Sequence, residues 1–270
     1  MRANLEGFQM YYEDVGKGVP VVFIHGLGGD SREWKLVIPE LSKEIRCIAV
    51  DLRGHGQSDK PNEPYTQSLF ARDLVSLLDY LGIERAYFCG ASMGGYVAQK
   101  VILTYSQRVK GLILVGATPH IPEQTVKVSG KWAETLLTEG LEAFIEVQVK
   151  DVFHPAFARR HKETIDIFRE SKRVPPSEVS GLINKGMQIE PIDFRKRLRE
   201  IKVPTLIIHG RDDQIVPVEY AELIHKQIPN SRLAVLPLCG HLPVMERPTY
   251  FADLLLYFIE KTEKEAEKSK

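Results

Sequence analysis

A serine hydroxyl attacks a carbonyl only when the chain presents it to a base. One pentapeptide is built to do so, Gly90-Ala91-Ser92-Met93-Gly94, the only G-x-S-x-G in the chain. It follows an apolar run and leads into a helical pattern. In that context a tight strand-to-helix turn lifts the hydroxyl clear, and the small residues at 90 and 94 permit close backbone approach. A serine that merely caps the helix is the plainer reading. The strand before it and the helix after it favour the nucleophile.

The base must come from among eight histidines. His241 ends a strand-like run and opens a proline-containing loop, at the edge where open parallel sheets form their sites. His25 and His209 also end apolar runs, but each precedes a glycine that continues a tight turn. His55 sits in a Gly-rich loop, and His120, His154, His161 and His225 fall in the expected cap or on helices. His241 is therefore the expected general base. A carboxylate should hold its tautomer and stabilise its charged form. Asp212 and Asp213, in GRDDQIVP at 210–217, both follow a strand, whereas the other eligible position, VGAT at 115–118, holds no acid. Asp213 is assigned to catalysis and Asp212 to the turn, with the reverse assignment left open.

An oxyanion needs amide donors. Met93, directly after the nucleophile, offers one. Leu27 in HGLGG at 25–29 offers the other, because glycines let that loop fold beneath Ser92. A Gly-rich loop after a strand also suggests a dinucleotide. No G-x-G-x-x-G with a downstream acid is present, and no G-K-[ST]. No cofactor is expected. With no HExxH and no Cys/His cluster, no metal is expected either.

These residues need a frame to hold them. Apolar runs at 21–26, 47–54, 86–92, 111–117, 205–210 and 233–241 are continuous rather than alternating, which predicts strands buried on both faces of a parallel sheet. Phe70, Leu74, Leu77, Leu78 and Leu81 recur at helical spacing, and Gly82 stands where a C-terminal cap belongs. The expected class is α/β, with strand and helix alternating through right-handed crossovers. The rhythm breaks between residues 118 and 198, where helical patterns and prolines replace strands. We therefore expect a core over 1–117 and 199–261, an inserted helical cap over 118–198 and a charged tail over 262–270. Trp132, Phe144, Phe153 and Phe157, together with Met187, are the cap side chains expected to line an apolar pocket.

Lys+Arg and Asp+Glu balance at 36 each, so there is no basic field for nucleic acid or an acidic membrane. Three cysteines without a CxxC pair suit a reducing compartment. The N-terminal stretch lacks a signal-peptide pattern, and no segment reaches the roughly 20 apolar residues of a membrane span. A cytoplasmic location is expected. A small-molecule substrate is the expected partner, and composition leaves the oligomeric state open.

HGLGG at 25–29, DLRGHGQSD at 51–59, GASMGG at 90–95, GRDDQIVP at 210–217 and GHLPVMERP at 240–248 together resemble the α/β-hydrolase superfamily, in its capped branch of small esterases and lactonases. The order Ser, Asp, His along the chain matches that family. The resemblance implies an α/β-hydrolase fold, a mostly parallel sheet flanked by helices with an inserted helical cap. It also implies a scaffold role for Asp51, Arg53, His55 and Ser58. Haloalkane dehalogenases carry Asp where this chain has Ser92. Carbon–carbon hydrolases of ring-cleavage products often carry Trp where this chain has Leu242. The stretch from Val152 to Phe157 and the DFRKRLREIKVPTLIIHG run at 193–210 look like 3-oxoadipate enol-lactonases. The expected function is serine-dependent cleavage of carboxylic esters through an acyl-enzyme. Enol-lactone hydrolysis and cofactor-free perhydrolysis would use the same triad, and a ligand-sensing receptor on the same fold is the reading from another class.

Overall fold

Apolar runs without alternation become strands whose successive side chains enter two different cores. Val22 and Ile24 pack on one face of the sheet, and Val21 and Phe23 on the other. The computed structural model describes residues 1–173 and 192–268. Its strands are β1 (Arg2–Leu5), β2 (Phe8–Val15), β3 (Pro20–Ile24), β4 (Arg46–Val50), β5 (Ala86–Ala91), β6 (Val109–Val115), β7 (Thr205–Gly210) and β8 (Ser231–Leu236). They form one sheet in the order β1-β2-β4-β3-β5-β6-β7-β8. From β4 to β8 every pairing is parallel, while β1 and β2 join antiparallel at one edge.

The six expected strands are all present; β7 ends at Gly210 as expected, and the other five end one to five residues earlier. The edge strand β1 and its neighbour β2 went unread. β1 is four residues long, and β2 alternates buried Phe8, Met10 and Tyr12 with more exposed neighbours. Alternation is the signature of a half-exposed antiparallel strand. It was the signal available.

The helices are α1 (Ile38–Leu41), α2 (Gln67–Tyr80), α3 (Met93–Thr104), α4 (Glu123–Glu139), α5 (Leu141–Val152), α6 (Pro155–Arg160), α7 (Lys162–Lys172), α8 (Glu219–Gln227), α9 (Pro243–Glu246) and α10 (Pro248–Lys268). α2 starts at Thr66, whose side chain accepts from the Leu69 amide, and ends before Gly82 at φ 66°. That cap and stop match the spacing read from the sequence. α4 to α7 lie between β6 and β7, where the strand rhythm breaks. Among the described residues no helix is long and apolar enough to cross a membrane.

Candidate active site

Ser92 sits between β5 and α3 with φ 50° and ψ −113°, a left-handed backbone that a side chain rarely adopts. Such strain persists only where surroundings enforce it. Here the Ser92 amide donates to Val115 O at 2.8 Å and the Gly95 amide donates to Ser92 O at 2.9 Å. Gly94 lets α3 descend onto β3. A methyl there would lie 2.2 Å from Ile24 O. The two glycines of the motif are thus a packing requirement of the turn that raises Ser92.

Across the same cavity stands His241, 5% exposed, in the loop after β8. Its Nδ1 lies 2.7 Å from Asp213 Oδ2, and its backbone amide donates to Val152 O at 2.7 Å. Gly116, at φ 53°, leaves room for the ring: a methyl there would be 2.7 Å from His241 O and 3.2 Å from Nδ1. The acid-free VGAT segment therefore packs directly against the histidine that a carboxylate there would have served.

Asp213 is buried, whereas Asp212 beside it is exposed. Asp213 Oδ1 accepts from the Ile215 and Val216 amides, both at 2.9 Å. His209 Nε2 lies 3.2 Å from Asp213 Oδ2 and 2.9 Å from Val216 O. Burial pushes the Asp213 pKa up, but the His241 charge and hydrogen bonds from His209 and His241 outweigh it, holding the carboxyl well below the usual range. For His241, burial pulls the pKa down and the Asp213 charge and hydrogen bond push it up, for a net rise. With Nδ1–H engaged by Asp213, Nε2 is the nitrogen left to take a proton.

Ser92, His241, Leu27 and Met93 all line one cavity of about 890 Å³, counting its open mouth. Among the described residues no backbone oxygen accepts from the Leu27 or Met93 amides. Trp132 lines the cavity too, with Nε1 donating to Asp151 Oδ2 at 2.8 Å.

Phe144, Phe153 and Phe157 correct the expectation that they line the pocket. Phe144 packs with Leu136 and Ile145 inside the insertion. Phe153 stacks on Phe157, ring centroids 5.9 Å apart, and meets Phe168 edge-on at 5.0 Å. Helical spacing marks an inward face without saying whether a neighbouring helix or a cavity lies there. Met187 lies outside the described residues.

The polar DLRGHGQSD segment acts as a brace. Asp51 accepts from the Ser31 and Gln57 amides, and Arg53 donates to both oxygens of Asp73. None of Asp51, Arg53, His55 and Ser58 lines the cavity. Sequence reasoning missed His209, Glu33, Gln67, Gln148 and Lys172. The first touches Asp213, and the other four line the cavity.

A strained serine at the end of a parallel strand, lining one cavity with an imidazole that contacts a buried carboxylate, can do nucleophilic acyl chemistry. Residues 19–248 match the model of the alpha/beta hydrolase fold family, and the chain belongs to that family. It is 29% identical to the 2-hydroxy-6-oxo-6-(2'-aminophenyl)hexa-2,4-dienoic acid hydrolase of Metapseudomonas resinovorans, covering 96% of this chain and 90% of that one. A solved thermophilic esterase from Thermogutta terrifontis superposes with TM-score 0.85 at 30% identity, over 97% of this chain and 99% of that one. The enol-lactonase from Burkholderia xenovorans LB400 superposes with TM-score 0.87 at 25% identity, over 96% and 100% of the two chains. The protein is a hydrolase of this family.

Proposed function

We propose that the protein hydrolyses carboxylic esters through an acyl-enzyme on Ser92. The observation that carries this reading is the 2.7 Å contact between His241 Nδ1 and Asp213 Oδ2, on the wall of the cavity that Ser92 also lines. His241 Nε2 takes the hydroxyl proton as Ser92 Oγ bonds to the carbonyl carbon. The Leu27 and Met93 amides hold the oxyanion, and such donors act strongly because they are fixed in advance. Collapse expels the alcohol, which receives the proton from His241. Water then attacks the acyl carbon with its proton passing to His241, and the acid departs as Ser92 regains that proton.

The esterase and enol-lactonase likenesses support acyl chemistry, and a lactone would follow the same steps with its ring oxygen as the leaving group. Carbon–carbon cleavage is favoured by one relative's name and by likeness to a solved meta-cleavage product hydrolase. Against it stands Leu242 after His241, where such hydrolases often carry Trp. The helices between β6 and β7 serve as a cap over the site in this reading, since Thr125, Ser129, Trp132, Gln148, Phe168 and Lys172 supply one wall.

Ser92→Ala should abolish hydrolysis of p-nitrophenyl acetate and enol lactones while thermal melting stays close to the parent. Fluorophosphonate should label the parent at Ser92 alone, read by mass spectrometry of tryptic peptides. Labelling that persists in the alanine variant would remove Ser92 from the role.

A further inference from the structure

The acyl chemistry makes no use of four polar side chains on the cavity wall, those of Glu33, Gln67, Gln148 and Lys172. None is more than 9% exposed. Glu33 Oε1, Gln67 Oε1 and Gln148 Oε1 are buried without a hydrogen-bond partner. Native proteins rarely leave such groups unmet, and when they line a cavity they mark where a ligand's donors fit. The Gln amides can turn either end inward. Glu33 cannot, so it defines the requirement.

Glu33 stands close to the reacting centre. Its Oε2 accepts from the Gly26 amide at 3.2 Å, which fixes the carboxylate against the loop that carries Leu27. A methyl placed on Gly26 would lie 3.5 Å from Ser92 Cβ and 3.7 Å from Glu33 Oε2. One residue's width thus separates the carboxylate from the nucleophile. Lys172, at the end of α7, reaches the same loop from the insertion. Its Nζ donates to Gly28 O at 3.0 Å and lies 5.2 Å from the Phe168 ring centroid. An ammonium has three donors, and this contact uses one.

The two groups are electrostatically matched. Burial raises the Glu33 pKa, opposed first by the Lys172 charge, and burial lowers that of Lys172, opposed first by Glu33. Together they present an unmet acceptor and spare donors with no net charge between them. A hydroxyl has the chemistry for both, a proton to donate to Glu33 and lone pairs to accept from Lys172. A carboxylate has no proton to give and would face the like charge of Glu33, and an ammonium would face Lys172.

We propose that Glu33 and Lys172 form a subsite for a hydroxyl on carbon 2 or 3 of the acyl chain, so that the preferred substrates are esters or lactones of short hydroxy acids. The proposal rests on acylation of Ser92, which places the acyl group beside Gly26. The relevant comparison is kcat/KM for methyl butanoate, methyl 2-hydroxybutanoate, methyl 3-hydroxybutanoate and methyl hydrogen succinate, in the parent and in Lys172→Met. One hydroxy ester should exceed methyl butanoate by roughly 10-fold or more, as expected where a site's polar groups go unpaired with the plain analogue. In Lys172→Met that ratio should fall toward one.

A merely structural role for Lys172 would lower all four substrates together and leave the ratio intact, which overturns the proposal. So does a parent enzyme that prefers methyl hydrogen succinate or makes no distinction. Calorimetric binding of the same esters to Ser92→Ala separates this idea from the esterase reading. Tighter binding of a hydroxy ester supports the subsite even if the parent turns over none of them, and equal binding overturns it.

Discussion

Asp213 receives four hydrogen-bonding contacts, from His241, His209 and the amides of Ile215 and Val216. That is why it stays ionised while buried, and why His241 holds its proton more tightly than a free imidazole. In the mechanism we propose, His241 must be neutral to act as the base. The acid limb of kcat/KM should therefore lie above pH 6.5, the ordinary histidine value, with activity rising as pH climbs through it. Asp213→Asn should lower kcat by on the order of 10⁴ and shift that limb downward, because the charge that raises the imidazole is gone. Asp212→Asn, at an exposed position, should cost far less and leave the limb in place. Steady-state kinetics from pH 5 to 9 on the two variants decides the assignment, and the reverse ranking would make Asp212 the orienting acid. The strand ends that carry Ser92, Asp213 and His241 could be read in the sequence because each follows an apolar run and opens a turn with its own local pattern. His209, Glu33 and Lys172 could not. Lys172 meets Gly28 across 144 residues, and no local pattern encodes such a meeting.

At the scale of elements, the parallel strands could be read because burial on both faces leaves no alternation to confuse them. The loops that join those strands to the insertion were harder to read, since one side chain ties them together. Glu246 of α9 accepts from the Gly240 amide at 2.8 Å and from the His154 amide at 3.0 Å. It thus fixes the residue before His241 to the junction of α5 and α6. Burial pushes the Glu246 carboxyl up to about 7. The unfolded chain loses this proton near the ordinary glutamate value, so folding becomes less favourable as pH rises from there to about 7. Beyond that the loss is constant. Its size is on the order of 3 kcal/mol by linkage. Glu246→Gln has no proton to release, and its stability should change less over that window by up to the same amount. Urea unfolding at pH 4.5, 6 and 7.5 checks this. Parallel stability curves for parent and variant would mean that Glu246 ionises in the folded protein as it does in the unfolded chain.

At the scale of the whole molecule, the sheet edge carries Ser92 and His241 while α4, α5 and α7 supply the opposite wall. Such a division lets one part keep the chemistry while the other sets what fits beside it. The interruption of strand rhythm matches the helices that lie between β6 and β7, but it did not say which of their aromatics face inward. Trp132 and Phe144 separate the two roles. Trp132 lines the cavity, whereas Phe144 is 4% exposed and packs among insertion side chains. Trp132→Ala should open the acyl pocket and shift preference toward longer p-nitrophenyl esters by roughly 10- to 200-fold, the span of a methylene-scale fit. Labelling of Ser92 by a small phosphonate, which needs little of that wall, should fall by a smaller factor. Phe144→Ala should instead cost about 3–5 kcal/mol of stability, as large buried aromatics do when truncated, and leave the chain-length profile near that of the parent. The measurements are kcat/KM across C2 to C12 esters, phosphonate labelling rates and thermal melting for both variants. If Trp132→Ala lowers every ester and the labelling rate by one common factor, the insertion belongs to the catalytic framework and does not select the substrate.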